Sequence, residues 1–255
     1  RRVVNLYLGC EFLSLVGPGT GNAAAFMVLD LPENLDFIGL GLKKDMPVTL
    51  AGGGLQADGV LTVDCRQARP WQGREPAALR WTREGLSWTN VTALGQAIGR
   101  WGVKDGWGDT RAGYLEQLRA AFLGWESGSL EGAVKGLLGY GPGLTPGGDD
   151  LLLGLLAATG GGADYQPYLE GFRGAIATNL GRTNEISAFF LRWALAEDYH
   201  EYLQEVVYAV INGMPALVNT AARNLLGLGA TSGTDIARGI YLGFSWVFPG
   251  APQEG

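Results

Sequence analysis

The sequence predicts an α+β chain, with a β-rich first part and a mainly helical second part, and three observations carry that expectation. Short apolar runs closed by Gly, Pro, Asn or Asp fill about the first third of the 255 residues. After Asn90 the apolar spacing shifts to the helical period and keeps it almost to the end. Strands first and helices afterwards argue for two segregated layers or two domains, 1–89 and 90–255.

The candidate strands are VVNLYLG (3–9), EFLSLVG (11–17), AFMVLDL (25–31), DFIGLGL (36–42), PVTLAGG (47–53) and GVLTVDC (59–65). LRWTREGLSWT (79–89) reads as a hairpin, with Trp81 and Trp88 flanking a turn at Glu84 and Gly85. Six or seven short strands so close together predict a small β-barrel or sandwich, with a long loop over 69–76. The first helix is expected over 90–101, with Asn90 as its N-cap. Helical spacing then recurs over 110–125, 130–138, 146–159, 165–180, 184–196, 201–211, 215–226 and 232–247. Gly181 and Gly227 stand where C-terminal glycines belong.

Composition narrows the function classes. Hydrophobic residues make up 47% and charged residues 17%, which is globular and not disordered. The net charge of −6 comes with no basic stripe, so no nucleic-acid partner is expected. Arg69, Arg74, Arg80 and Arg83 alternate with glutamates and read as a solvated face. Cys10 and Cys65 form neither a disulfide framework nor a CxxC pair, and both read as buried free thiols. The longest apolar run, 151–159, is far short of the ~20 residues that span a bilayer. With no signal-peptide pattern before the first strand, a cytoplasmic protein that meets no membrane is expected.

One element occurs twice. GGDDLLLG (147–154) and SGTDIARG (232–239) share small-Gly-x-Asp-x-x-x-Gly, matching Gly148, Asp150 and Gly154 with Gly233, Asp235 and Gly239. A threonine precedes each, Thr145 and Thr231. Thr145 suits an N-cap and Pro146 a first helical position. Bare N–H groups at Gly147 and Gly148, at the positive end of a helix dipole, make a natural anion cradle. Asp149 and Asp150 could simply complement that dipole, but alanine would stabilise a helix start better than two glycines, by ~1 kcal/mol each. Glycine there fits close approach by a ligand or another backbone. A third polar helix start, LGRTNEISAFF, carries Thr183, Asn184, Glu185 and Ser187, for which capping alone is also an adequate reading. Three such starts could converge on one pocket, with Ser232 and Gly233 on one wall and Arg182 and Arg238 supplying positive charge.

Elimination shapes the chemistry. His200 is the one histidine and reads as a surface or capping residue, which leaves a triad, a His-rich zinc site and a His base without support. GPGTGN (17–22) lacks the lysine and spacing of a P-loop. Aspartates, hydroxyls, backbone amides and possible Mg²⁺ remain, which suits positioning and charge stabilisation of an anionic substrate such as a phosphate or carboxylate.

GPGLTPGGDDLLLG, RTNEISAFFLRWA and LGATSGTDIARG, in this order and spacing, resemble the AllH-like proteins, over about 139–243. Gly147 stands where that family usually has Ser, while Thr145, Gly148, Asp149, Asp150, Thr183, Ser187, Ser232 and Asp235 follow its pattern. The resemblance implies a subunit of a carbamoyltransferase that acts on oxalurate or oxamate with phosphate or carbamoyl phosphate, alongside other subunits. On that reading Asp149, Asp150 and Asp235 are the catalytic candidates. Thr145, Gly147, Gly148, Arg182, Thr183, Asn184, Ser187, Thr231, Ser232 and Gly233 are the substrate-binding ones. Two alternatives stand beside it: an Mg-dependent hydrolase using the paired aspartates, and a non-catalytic ligand-binding or scaffold subunit whose glycines pack helices.

Overall fold

The structure, a computed structural model, describes residues 3–9, 11–32, 37–104, 109–123 and 129–248. Cys10 lies outside them. The chain forms two compact units that divide between Gly73 and Arg74, the first β-rich and the second helical. The α+β expectation therefore holds.

In the first unit β1 (Val3–Leu8) and β2 (Glu11–Val16) pair antiparallel across Gly9, whose φ is 69°. Their register sets Val4 opposite Leu15 and Leu6 opposite Leu13, which puts the apolar pairs on one face. β3 (Phe26–Val28) joins parallel to β2. The second sheet is an antiparallel meander of β4 (Val48–Ala51), β5 (Gly54–Ala57) and β6 (Leu61–Asp64). Its first turn is Gly52-Gly53, both at positive φ, the twist that two-residue hairpins favour. Leu6, Leu15, Leu29, Phe37 and Leu55 form one core, with Val48 and Val63 packed against it.

Each sheet is open and three-stranded, so among the described residues no barrel closes. Phe37–Leu40, expected as a strand, is a 3-10 helix that ends at Gly41 with φ 83°. Conversely, β5 was not anticipated. Gly-Leu-Gln-Ala has little β-propensity, and ladders on both sides supply what it lacks. Cys65 is half-buried, with its Sγ 3.8 Å from Met27 Sδ.

Among the described residues the second unit has nine α-helices. They are α1 (Trp88–Trp101), α2 (Asp109–Phe122), α3 (Ser129–Leu137), α4 (Gly147–Gly160), α5 (Gln166–Asn179), α6 (Glu185–Leu195), α7 (Glu201–Asn212), α8 (Pro215–Leu226) and α9 (Ser232–Ser245). Every residue of α4 except Leu153 is buried, as expected of a helix apolar on all sides. Its most extensive partner is α9. None of the described helices is long and apolar enough to cross a membrane.

Several local expectations are corrected here. The hairpin over 79–89 is absent: Arg83–Gly85 is a 3-10 turn, and Trp81 makes an isolated bridge to Gly162. Trp81 Nε1 donates to the Ala158 carbonyl at 2.9 Å, so its ring plugs the C-terminal end of α4. Leu79, Trp81 and Leu86 consequently belong to the helical core, although no α-helix of the described residues begins until Trp88. Asn90 is not a cap. It is buried in the first turn of α1 and donates to the Val210 and Gly213 carbonyls at 3.1 Å, tying α1 to the end of α7. Gly227 follows α8 directly, but with a right-handed φ of −78°, and Gly181 lies in a 3-10 turn. His200 caps α7, where its Nδ1 accepts from the Tyr202 N–H.

Candidate functional site

The two copies of the glycine–aspartate element start α4 and α9, and these helices run side by side in the same direction. Gly154 meets Gly239 and, one turn on, Ala158 meets Gly243. A Cβ on Gly154 would strike the Ile236 carbonyl and lie 2.9 Å from Ile240 N. A Cβ on Gly239 would strike the Leu151 carbonyl and lie 2.9 Å from Leu155 N. Leu151 and Ile236, like Leu155 and Ile240, hold equivalent places in the repeat, so the crossing has a local pseudo-two-fold axis. Only glycine permits backbones this close.

The repeat extends further back than small-Gly-x-Asp. Leu137-Leu138-Gly139-Tyr140-Gly141 precedes the first copy, and Leu225-Leu226-Gly227-Leu228-Gly229 precedes the second. Each closes alike: the Gly148 N–H donates to the Tyr140 carbonyl at 2.9 Å, and the Gly233 N–H to the Leu228 carbonyl at 3.0 Å. A Cβ at Gly148 would hit the Leu137 carbonyl, and one at Gly233 the Leu225 carbonyl. The unit is thus a duplicated helix–loop–helix, α3–α4 and α8–α9. LLGxG, ending three to six residues upstream of each motif, is the signal that would have exposed it.

This geometry corrects the reading of Gly148 and Gly233 as bare backbone donors. The N–H groups of Gly148, Asp149 and Gly233 donate to the Tyr140, Pro146 and Leu228 carbonyls, and the glycines answer to packing. Gly147 is buried in the first turn. Thr145 is not the N-cap either. Pro146 takes that position without a side-chain bond, and the Thr145 hydroxyl instead meets Ser232 Oγ at 2.8 Å across the two helix starts. Thr231 occupies the corresponding cap position of α9, exposed and with no side-chain cap bond.

Beneath Thr145 and Ser232, both half-buried, lies Asp150 at 5% exposure. Its Oδ2 has no hydrogen-bond partner. Burial pushes its carboxyl up to about 8, and the nearby charges of Asp235 and Asp149 push the same way; the Ser232 and Thr145 hydroxyls only partly offset them. Asp150 is therefore largely a neutral acid at pH 7. Asp235, the repeat-related residue on α9, is buried, and Arg238 Nη1 lies 3.4 Å from its Oδ1. Arg238 also reaches the Val103 carbonyl at 3.4 Å.

Asp149 faces a different neighbourhood. Its Oδ1 accepts from the Gly139 N–H at 2.8 Å, and its Oδ2 accepts from Ser187 Oγ at 2.7 Å and from the Thr183 hydroxyl. Burial raises this carboxyl too, while the Thr183, Gly139 and Ser187 bonds pull it back. Asp149 is thus a latch that joins the start of α6 to that of α4. Thr234, in the equivalent place on α9, likewise takes a backbone donor, the Val103 N–H at 3.1 Å. Asn184 is the N-cap of α6 and accepts from the Ser187 N–H. Arg182 is exposed, with its Nε on the Lys135 carbonyl at 3.0 Å, away from the Asp150 cluster.

The three helix starts are therefore joined, α4 to α9 through Thr145–Ser232 and α4 to α6 through Asp149. The adjacent aspartates nevertheless diverge and do not share one set of contacts. Among the described residues no group of three or more His, Cys, Asp or Glu is placed to hold a metal ion.

Residues 137–244 match the family model described as oxamate carbamoyltransferase subunit AllH. The match covers less than half of the chain and spans α4, α6 and α9 with the whole Asp150 cluster. No solved structure matches the chain.

Proposed function

On the premise of that family match, we propose that the chain is a carbamoyltransferase subunit whose Asp150 cluster handles a small carbamoylated amide of the oxalurate or oxamate type. Phosphate or carbamoyl phosphate is the second reactant, and other subunits complete the enzyme. The observation that carries the reading is Asp150 itself: a buried acid with a free oxygen, under two half-buried hydroxyls. Carbamoyl transfer builds negative charge on the carbonyl oxygen, and preorganised donors stabilise it without histidine. The Asp150 acid is such a donor, and the Thr145 and Ser232 hydroxyls bonded to it and to each other hold it in place. The Gly148, Asp149 and Gly233 N–H groups are engaged elsewhere, and Arg238, whose Nη1 lies 3.4 Å from Asp235 Oδ1, brings positive charge beside the cluster for an anionic end.

Thermal-shift and calorimetric titration with oxamate, carbamoyl phosphate and phosphate, with and without partner subunits, tests the proposal. A rise in melting temperature that Ser232→Ala and Thr145→Val diminish is expected. No response to any of the three, partner subunits included, would overturn it.

A second reading has its own observation. The Gly154–Gly239 crossing accounts for the repeated glycines by packing alone, as a scaffold subunit would require. Under it, Asp150→Asn changes stability and leaves every ligand affinity untouched.

A further inference from the structure

Within the Asp150 cluster, the place between Asp150 and Asp235 has the wrong polarity for a carboxylate or phosphate, whichever end of the substrate Arg238 meets. Two buried carboxyl groups, Asp150 and Asp235, stand at repeat-related positions on the facing starts of α4 and α9, with a third, Asp149, next in sequence. Of the backbone donors that helix starts commonly offer to phosphate, those of Gly148, Asp149 and Gly233 are already bonded to backbone carbonyls. Asp150 Oδ2 has no hydrogen-bond partner among the described residues, on a residue that is 5% exposed. An unmet polar atom so deep in a protein is costly and calls for a ligand group that meets it.

We infer that Asp150 and Asp235 act as one acid–carboxylate pair across the pseudo-two-fold axis, and that the pair recognises a neutral, planar amide group, the carbamoyl end of the substrate. The inference rests on the carbamoyltransferase reading and deepens it. An amide offers a carbonyl acceptor and an N–H donor side by side. The protonated Asp150 donates to the carbonyl, and Asp235, held against the Arg238 guanidinium, accepts from the N–H. A carboxylate or phosphate in the same place brings a second acceptor towards Asp235 and is repelled.

Among the described residues, the charges that bear on Asp150 are Asp235 on α9 and Asp149 on its own helix. Arg238 lies one turn beyond Asp235 and against it. At the start of α6 the Thr183 and Ser187 hydroxyls are engaged by Asp149. Loss of the Asp150 proton, above pH about 8, therefore removes the donor and adds a repulsive charge.

Oxamate and oxalate make the test, because they share shape and one carboxylate and differ only by amide against carboxylate. Calorimetric titration of the full chain, alone and with its partner subunits, is expected to show oxamate binding at least about tenfold tighter than oxalate at pH 6.5. Oxamate affinity should fall as the pH passes about 8 in the wild type. In Asp150→Asn, whose side-chain amide keeps a donor at every pH, oxamate binding should persist and lose that pH dependence. Equal binding of the two ligands, or a pH profile that Asp150→Asn leaves unchanged, overturns the acid–carboxylate pair while the carbamoyltransferase reading stands. Failure of both ligands to bind, partner subunits included, overturns both.

Discussion

Adjacent aspartates can differ in kind. Asp149 accepts three hydrogen bonds and holds two helix starts together, whereas Asp150 keeps an oxygen unmet. Asp149→Ala leaves the Gly139 N–H and two hydroxyls without their acceptor. It is expected to cost about 1–3 kcal/mol for each donor that stays buried, measurable by urea denaturation. Asp150 behaves oppositely with pH. Its folded value lies above the ordinary carboxylate range, so the folded state holds the proton that the unfolded chain gives up. Its contribution is fully present below about pH 4 and is lost as pH rises through about 8. Asp150→Asn should therefore flatten the stability–pH curve between those limits, gaining most over wild type on the alkaline side. A thermal-melt series across that range checks it. An unchanged slope would show that Asp150 ionises freely in the folded chain.

At the level of elements, α4 and α9 depend on the absence of side chains where they cross. Gly239→Ala places a methyl group against the Leu151 carbonyl and should cost about 3 kcal/mol or more, or prevent folding. Gly174→Ala, in α5 with open space around it, should stabilise by about 0.5–1 kcal/mol. Parallel denaturation curves for the two variants separate a packing glycine from an idle one. The same contrast explains what was legible in the sequence. Helix periodicity marked α1 to α9 to within a few residues at each end, because one apolar face per helix is written into the spacing. Trp81 and Trp88 imitate a hairpin because aromatic residues favour strands as readily as they fill helical cores, and the Trp81 ring finds its partner at Ala158. Thr145 looks like a cap because capping is local, while its real partner, Ser232, is 87 residues away. The glycine pairs were visible, but their purpose was not. The carbonyls of Leu137 and Leu225 that exclude a Cβ leave no trace in the motif itself.

At the level of the whole molecule, the stretch from Arg66 to Ala77, exposed apart from the half-buried Trp71, contains the point where the chain passes from one compact unit to the other. Limited digestion with trypsin is expected to cut after Arg66 or Arg74 and to leave a helical fragment that still melts cooperatively. Mass spectrometry and calorimetry read the two outcomes, and a fragment with no melting transition would show that the helical unit needs the sheets. The duplicated helix–loop–helix has a longer consequence. Two copies about an axis are what a symmetric pair of chains becomes when it is joined into one. In a true pair every change is made twice. Within a single chain each copy drifts alone, and here Asp149 answers to Thr234 and Leu153 to Arg238. Two helix starts that a strict two-fold axis would keep identical thereby come to differ, so the two sides of the crossing are no longer interchangeable.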